Sequence, residues 1–361
     1  MKIKFVIIGG GVAGLCAAIR LTELGEEPLL IEGGSYPAHK ICGEFLSPEC
    51  IKYLHNWNIH PMPIPKAVVR TFNSSLTFSF PTPAGGMSHI QLDPALANYA
   101  TKLGAKIRTN TQVKTFQPKR NSYDAHLIQL ADDEILEASH VIIATGRIPS
   151  YTTQTPKMCY MGFKTHFENI VSEGNLEMYS FPGAYLGIAP IGDNKYNVAC
   201  LANLKEAERF SHPHLFIENL KSQNPFLHTS LSAGNNLFDQ WMSAAIPAFG
   251  IKQTPDWLDT YFIGDVAVTI PPACGNGLAM AVLGGRLAAE YAIRFQTQEF
   301  KKMWVKRCSS QMFWGKILHK FLLNPSYGNL LLKLGNSFPY LSHKMFDLTR
   351  QSEMNNQRYC S

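Results

Sequence analysis

Three glycines, Gly9, Gly11 and Gly14, stand in the spacing G-x-G-x-x-G, and an acid, Glu32, follows them. At a strand-to-helix turn the first glycine permits the tight turn and the second lets the backbone approach a pyrophosphate. The third allows close helix packing, and the helix N-terminus stabilises the phosphate charge. Glu32 can accept both ribose hydroxyls of an adenosine. Alone, the glycines would describe an ordinary tight turn; followed by a helix, a strand and an acid, they describe a dinucleotide site.

A second block lies far along the chain, where Tyr261-Phe-Ile-Gly-Asp-Val-Ala precedes Pro271-Pro-Ala-Cys-Gly-Asn-Gly-Leu-Ala-Met-Ala. A domain that binds only NAD has no use for it, which points to FAD. Asp265, after a buried strand, can bind a ribityl hydroxyl, or simply cap a turn. Residues Cys274 to Gly277 open a helix whose dipole would face the flavin N1/O2 edge, and that edge becomes anionic on reduction.

These groups need elements to position them. Lys2 to Ile8 is an apolar run suited to a buried parallel strand, Ala13 to Leu24 has helical periodicity, and Pro28 to Ile31 reads as the next strand. Val68 to Phe72 and Leu76 to Phe80 alternate like antiparallel strands. Asp93 to Leu103 reads as a helix with Asp93 as N-cap and Pro94 at its first position. Lys106 to Arg108, Ala125 to Leu130 and Val141 to Ala144 rejoin the nucleotide domain. Cys159 to Phe167, Leu176 to Ser180, Tyr185 to Ile188 and Tyr196 to Leu201 then resemble an antiparallel sheet, with a helix over Pro213 to Leu220.

Ala279 to Phe295 and Phe300 to Leu323 read as long helices. In the second, Phe300, Trp304, Cys308, Met312, Leu318 and Phe321 share a face and lysines occupy much of the other. The expected fold is α/β: a discontinuous Rossmann-like FAD-binding domain (1–60, 93–150 and 262–300) with an antiparallel β-sheet substrate domain (61–92 and 151–261). A basic helical C-terminal tail (301–361) completes it.

Composition supports a folded protein, since 45% of the 361 residues are hydrophobic and 17% charged. The eight cysteines show neither metal-ligand spacing nor a disulfide framework, so no metal is expected and a reducing, cytoplasmic setting fits. The apolar stretch at Met1 to Ile8 breaks at Gly9, too early for a signal peptide. The tail holds ten Lys/Arg and two Asp/Glu, while the rest of the chain is slightly acidic. Its helix, with Trp304, Phe313 and Trp314, could contact a membrane surface or pack on its own domain with lysines in water. No nucleic-acid partner is expected.

The two cofactor blocks together resemble the glutathione-reductase-like flavoprotein superfamily. The likeness lies within the group that holds para-hydroxybenzoate hydroxylase, flavin-dependent halogenases and geranylgeranyl reductases, and covers roughly residues 1–295. His39-Lys-Ile-Cys-Gly-Glu-Phe-Leu-Ser-Pro-Glu is similar to the C-G-x-x-L-S-P segment of the geranylgeranyl reductases, which lies beside the isoalloxazine. Gly162-Phe-Lys-Thr-His-Phe and Phe181-Pro-Gly-Ala-Tyr-Leu-Gly-Ile-Ala-Pro are similar to segments of its bacterial relatives found near polyketide synthase genes.

The resemblance implies that Cys42 and Gly43 line the flavin pocket with Glu44 close behind, although Cys42 by type alone is a small buried hydrophobe. Lys164 and His166 would share one side of a strand, as acid/base candidates or, more plainly, as a solvated strand edge; His89 and Arg147 read likewise. Residues expected at FAD are Gly9, Gly11, Val12, Ala13, Gly14, Glu32, Lys40, Val113, Gly264, Asp265, Pro272, Gly275, Asn276 and Gly277. The pocket candidates for catalysis are Cys42, Gly43, Glu44, Lys164 and His166.

The sequence also departs from its relatives. The hydroxylase G-A-D-G motif reads Ala144-Thr-Gly-Arg, His89-Ile-Gln-Leu-Asp puts histidine in the place of an arginine, and Met242 to Pro247 lacks both halogenase tryptophans. Neither a second glycine fingerprint nor a C-x-x-x-x-C disulfide is present. The electron donor, NAD(P)H or a separate reductase, stays open. The function implied is an FAD-dependent oxidoreductase acting on an apolar polyprenyl or polyketide substrate, reducing or dehydrogenating carbon–carbon bonds by hydride transfer. The alternatives are a monooxygenase working through a flavin hydroperoxide and a non-catalytic escort protein of the same fold.

Overall fold

The computed structural model describes residues 2–147 and 157–350. The expected start of the second insertion, near residue 151, lies outside them. Strand β1 (Ile3–Ile8) ends in four buried apolar residues, and α1 (Val12–Glu23) starts directly after the glycine turn. Strand β2 (Leu29–Ile31) lies parallel to β1, with Val6 opposite Leu29. An excursion follows through β3 (Phe45–Leu46), α2 (Pro48–Asn56), β4 (Met62–Arg70) and β5 (Ser75–Gly86). Helix α3 (His89–Lys102) returns the chain to β6 (Lys106–Arg108), β7 (Val113–Gln117), β8 (His126–Leu130) and β9 (Ile135–Ile143).

Next come β10 (Met158–Glu168), β11 (Leu176–Phe181), β12 (Ala184–Gly192) and β13 (Lys195–Asn203). Helices α4 (Leu204–Ala207), α5 (Pro213–Gln223) and α6 (Pro225–Ser232) lead to β14 (Asn235–Asn236), β15 (Met242–Pro247) and β16 (Gly250–Ile251). The chain closes with β17 (Thr260–Phe262), β18 (Val268–Thr269) and four helices. These are α7 (Gly277–Ala292), α8 (Thr297–Leu322), α9 (Pro325–Ser337) and α10 (Pro339–Leu348).

One sheet has the order β6-β2-β1-β9-β8-β7, with β17 also on β9; its central strands run parallel and read as unbroken apolar runs because helices cover them. Helix α7 lies on α1, and Gly285 makes this approach feasible, since a Cβ there would sit 2.3 Å from the Ala13 carbonyl oxygen. The second sheet, β14-β10-β13-β12-β11-β4-β5-β3 with β15 on β10, is antiparallel except where β4 and β11 pair parallel.

Two local expectations are corrected, and of the two readings of the helix after α7 the packing one holds. Helix α3 begins at His89 with Ser88 as N-cap, so Asp93 and Pro94 lie inside it. The cause is Glu44, whose Oε1 accepts the His89 amide at 2.8 Å and satisfies a donor the helix start would leave orphaned. Strand β10 is no edge, since β13 flanks one side and β14 and β15 the other, which buries Lys164 and His166. Helix α8 packs on its own domain through Phe300, Trp304, Cys308 and Met312, so Trp304 faces no membrane.

Candidate flavin site

A cavity of about 1240 Å³ runs between the two sheets, and both cofactor blocks line it. Pockets for one drug-sized ligand hold about 300–1,000 Å³, so this one has room for a cofactor and a second molecule. At its nucleotide end Gly9 takes φ +105°, and a Cβ on Gly14 would meet the Gly9 carbonyl oxygen at 2.0 Å. Gly11 differs: a Cβ there meets nothing nearer than Lys40 Nζ at 3.9 Å, so its backbone faces open space at the start of α1. The Glu32 carboxylate accepts the Gly10 amide at 2.5 Å and the Gly34 amide at 2.8 Å, which fixes it at the cavity wall.

At the opposite end Gly264–Val266 forms a single 3₁₀ turn that places Asp265 on the cavity wall. Burial pushes the Asp265 carboxyl up, against the charges of Arg147 and Lys252. Pro272–Cys274 is a second such turn, Gly275 takes φ +66°, and α7 starts at Gly277 with its first amides free of intrahelical partners. The residues just after α10 close on this segment: Asn276 Nδ2 donates to the Thr349 carbonyl at 2.8 Å, and Arg350 Nη2 to that of Cys274 at 2.6 Å. Two helix N-termini and two acids around one space are what a flavin dinucleotide requires, and the residues fit it.

Segment 40–44 carries two polar networks. In the first, the buried Glu44, held at φ 53°, accepts Lys164 Nζ at 2.5 Å and pairs with His166 Nε2 at 2.7 Å. Lys164 also donates to the Lys40 carbonyl at 2.9 Å. In the second, Cys42 faces the cavity and is hydrogen-bonded to the His89 ring, whose Nδ1 lies 2.9 Å from Asp93 Oδ1. Lys40 Nζ pairs with Asp93 Oδ2 at 2.6 Å.

Residues 2–172 match the family model described as an FAD binding domain. Menaquinone reductase of Mycolicibacterium smegmatis is 23% identical over 337 residues, 83% of this chain and 78% of that protein. Among solved structures, a flavin-dependent brominase superposes with a TM-score of 0.81 at 15% identity, covering 97% of this chain and 93% of that one. A geranylgeranyl bacteriochlorophyll reductase-like protein from Thermoplasma acidophilum gives 0.71 at 17%, covering 96% and 99%. The protein is an FAD-dependent oxidoreductase.

In this oxidoreductase the expected cofactor residues do not all reach the cavity. Gly9, Gly11, Val12, Ala13, Glu32, Lys40, Val113, Gly264, Asp265, Pro272, Gly275 and Gly277 line it. Gly14 lies behind the turn it tightens, and Asn276 is buried against Thr349. Cys42, Gly43 and Glu44 line the cavity as well, whereas Lys164 and His166 stand behind Glu44. His89 and Arg147, read as solvated, both reach the wall.

Electrostatics separates the two networks. Burial raises the Glu44 carboxyl, but His166 and Lys164 hold it below the usual range, so the oxidoreductase keeps it ionised. Burial alone would lower the His89 imidazole; hydrogen bonds to Asp93 and Cys42 outweigh it and raise the group to about 9. Burial raises the Cys42 thiol, and His89 brings it back below its ordinary value. Sequence reasoning missed Asp93, although the spacing of His89 and Asp93, one helical turn apart, signalled the pair.

Proposed function

We propose that the enzyme reduces or dehydrogenates a carbon–carbon bond of an apolar, polyprenyl-like substrate. The observation that carries this is the arm of the cavity beyond the flavin blocks, walled by Val69, Phe78, Phe80, Leu176, Met178, Leu331, Leu332 and Phe346. Such a wall holds a hydrocarbon chain by burial and excludes water. The names of the mycobacterial relatives and of the Thermoplasma protein, menaquinone and geranylgeranyl, both denote molecules with isoprenoid chains, which supports the reading. With it goes a division of labour in which 1–60, 93–150 and 262–300 hold the cofactor, and 61–92 and 151–261 the substrate.

FAD, when bound, supplies hydride chemistry. The amides opening α7 would favour negative charge at one edge of the ring system, and the amides opening α1 would hold the pyrophosphate. Cys42 and His89 share a proton at the cavity wall, and Asp93 fixes the imidazole that holds it. A proton for the substrate carbon would come from the His89 imidazolium, passed by way of Cys42 Sγ.

Anaerobic reduction followed by addition of a polyprenyl quinone tests the reading. Reoxidation of the flavin with a side-chain double bond saturated, a gain of two hydrogens that air oxidation of any quinol does not reverse, is expected; quinol formation alone would replace the proposal with a quinone reductase. Reoxidation by dioxygen alone with a hydroxylated product would replace the proposal with a monooxygenase. Bound flavin that no donor reduces would replace it with a non-catalytic escort protein.

A further inference from the structure

We infer that α9 and α10 form a lipid-facing cap, docked on an anionic bilayer, through which the substrate enters the cavity; this rests on the apolar substrate proposed above. Helix α9 buries one apolar face and exposes further large apolar side chains beside Lys333 and Asn336. Leu331 and Leu332 line the cavity from inside, and Gly328 and Gly335 are buried. On the outer side Leu330 is 57% exposed and Leu334 40%, and just beyond the helix Phe338 is 60% exposed and Tyr340 72%. An exposed cluster of large apolar side chains rimmed by polar ones calls for an apolar medium against it.

The surrounding charge identifies that medium. Between Phe313 and Arg350 the only acid is Asp347, while Lys316, Lys320, Lys333 and Lys344 are all exposed. Lysines around an apolar, aromatic-bearing surface match an anionic bilayer, where the rings reach the headgroup level and the ammonium groups meet phosphates. A second copy of the chain on the same face would set like charges against one another. Among the described residues no helix is long and apolar enough to cross a membrane, so contact is made from one side. Because α9 and α10 both wall the cavity, a chain passing between them would leave the lipid and meet Phe346 without crossing water.

The test uses the full-length, FAD-loaded protein and vesicles of phosphatidylcholine with or without phosphatidylglycerol, and needs no turnover. Flotation with phosphatidylglycerol vesicles at low salt is expected. Leu334→Ser/Phe338→Ser/Tyr340→Ser should weaken it at least 10-fold. Lys316→Gln/Lys320→Gln/Lys333→Gln/Lys344→Gln should abolish its dependence on the anionic lipid, with FAD content unchanged in both variants. No flotation of the parent at low salt, or equal flotation of the triple variant, overturns the inference. So does a dimer in light scattering that the triple variant dissolves. Saturation of the side-chain double bond of a short-chain, water-soluble isoprenoid quinone by the same preparations reports on the reaction separately, so the two readings fail independently.

Discussion

His89 and Asp93, one turn apart on α3 with Nδ1 and Oδ1 2.9 Å apart, form a charged pair directly behind the cavity thiol of Cys42. The imidazole stays protonated to about pH 9 in the folded protein, but only to about 6.5 in an unfolded chain. Its contribution to stability is therefore complete below pH 6.5 and is lost as pH rises toward 9. Asp93, whose carboxyl lies below its ordinary 3.8, contributes above that value and loses the contribution as pH falls beneath it. The lowered Cys42 thiol acts in the opposite sense, losing a proton on folding where His89 gains one, so urea midpoints should fall between pH 6 and 9 in a Cys42→Ala background, and adding Asp93→Asn there should flatten that limb. An equal fall in the variant would break the link between the two residues.

Gly11→Val tests the cofactor assignment. A Cβ at Gly11 has no neighbour nearer than 3.9 Å, so valine disturbs no packing and fills the space before the first amides of α1. The parent should be yellow with one FAD per chain, and the variant colourless with unchanged circular dichroism. Stoichiometric flavin in the variant would rule the assignment out.

Glu32→Ala should weaken FAD by about 1.5–3 kcal/mol, roughly 10- to 100-fold in Kd, the usual worth of hydrogen bonds to a charged group. Fluorescence titration of the apoprotein reads this directly. An unchanged Kd would show that Glu32 serves only the Gly10 and Gly34 amides.

Glu44→Gln leaves the buried Lys164 without its counter-charge and should cost about 3–5 kcal/mol in denaturant unfolding. Adding Lys164→Met should recover part of that loss, because the stranded cation is then gone. Additive losses would mean that the two side chains do not interact.

What the sequence disclosed was whatever its near neighbours decide. The β1-α1-β2 unit is legible because apolar runs, glycines and an acid fall within 32 residues and each is a local requirement. The start of α3 was misread because the group that caps it, Glu44, lies 45 residues away. Period-two alternation put Lys164 and His166 on one side of β10. It could not show that this side is buried on a carboxylate more than a hundred residues earlier. The role of α9 as a cavity wall was hidden for the same reason: leucines at four of the five positions 330–334 give no clue to which of them the protein covers.

The bonds from Thr349 and Arg350 to the segment Cys274–Asn276 join the end of α10 to the place where the isoalloxazine belongs. Two ligands of one segment are energetically coupled, and coupling is reciprocal. If FAD orders residues 274–277, it tightens the docking of the terminal helices by the same factor by which those helices tighten FAD. Flavin occupancy thereby becomes a measure of how firmly the cavity is shut, and an enzyme depleted of its cofactor is one whose terminal helices protect their amides less from hydrogen exchange.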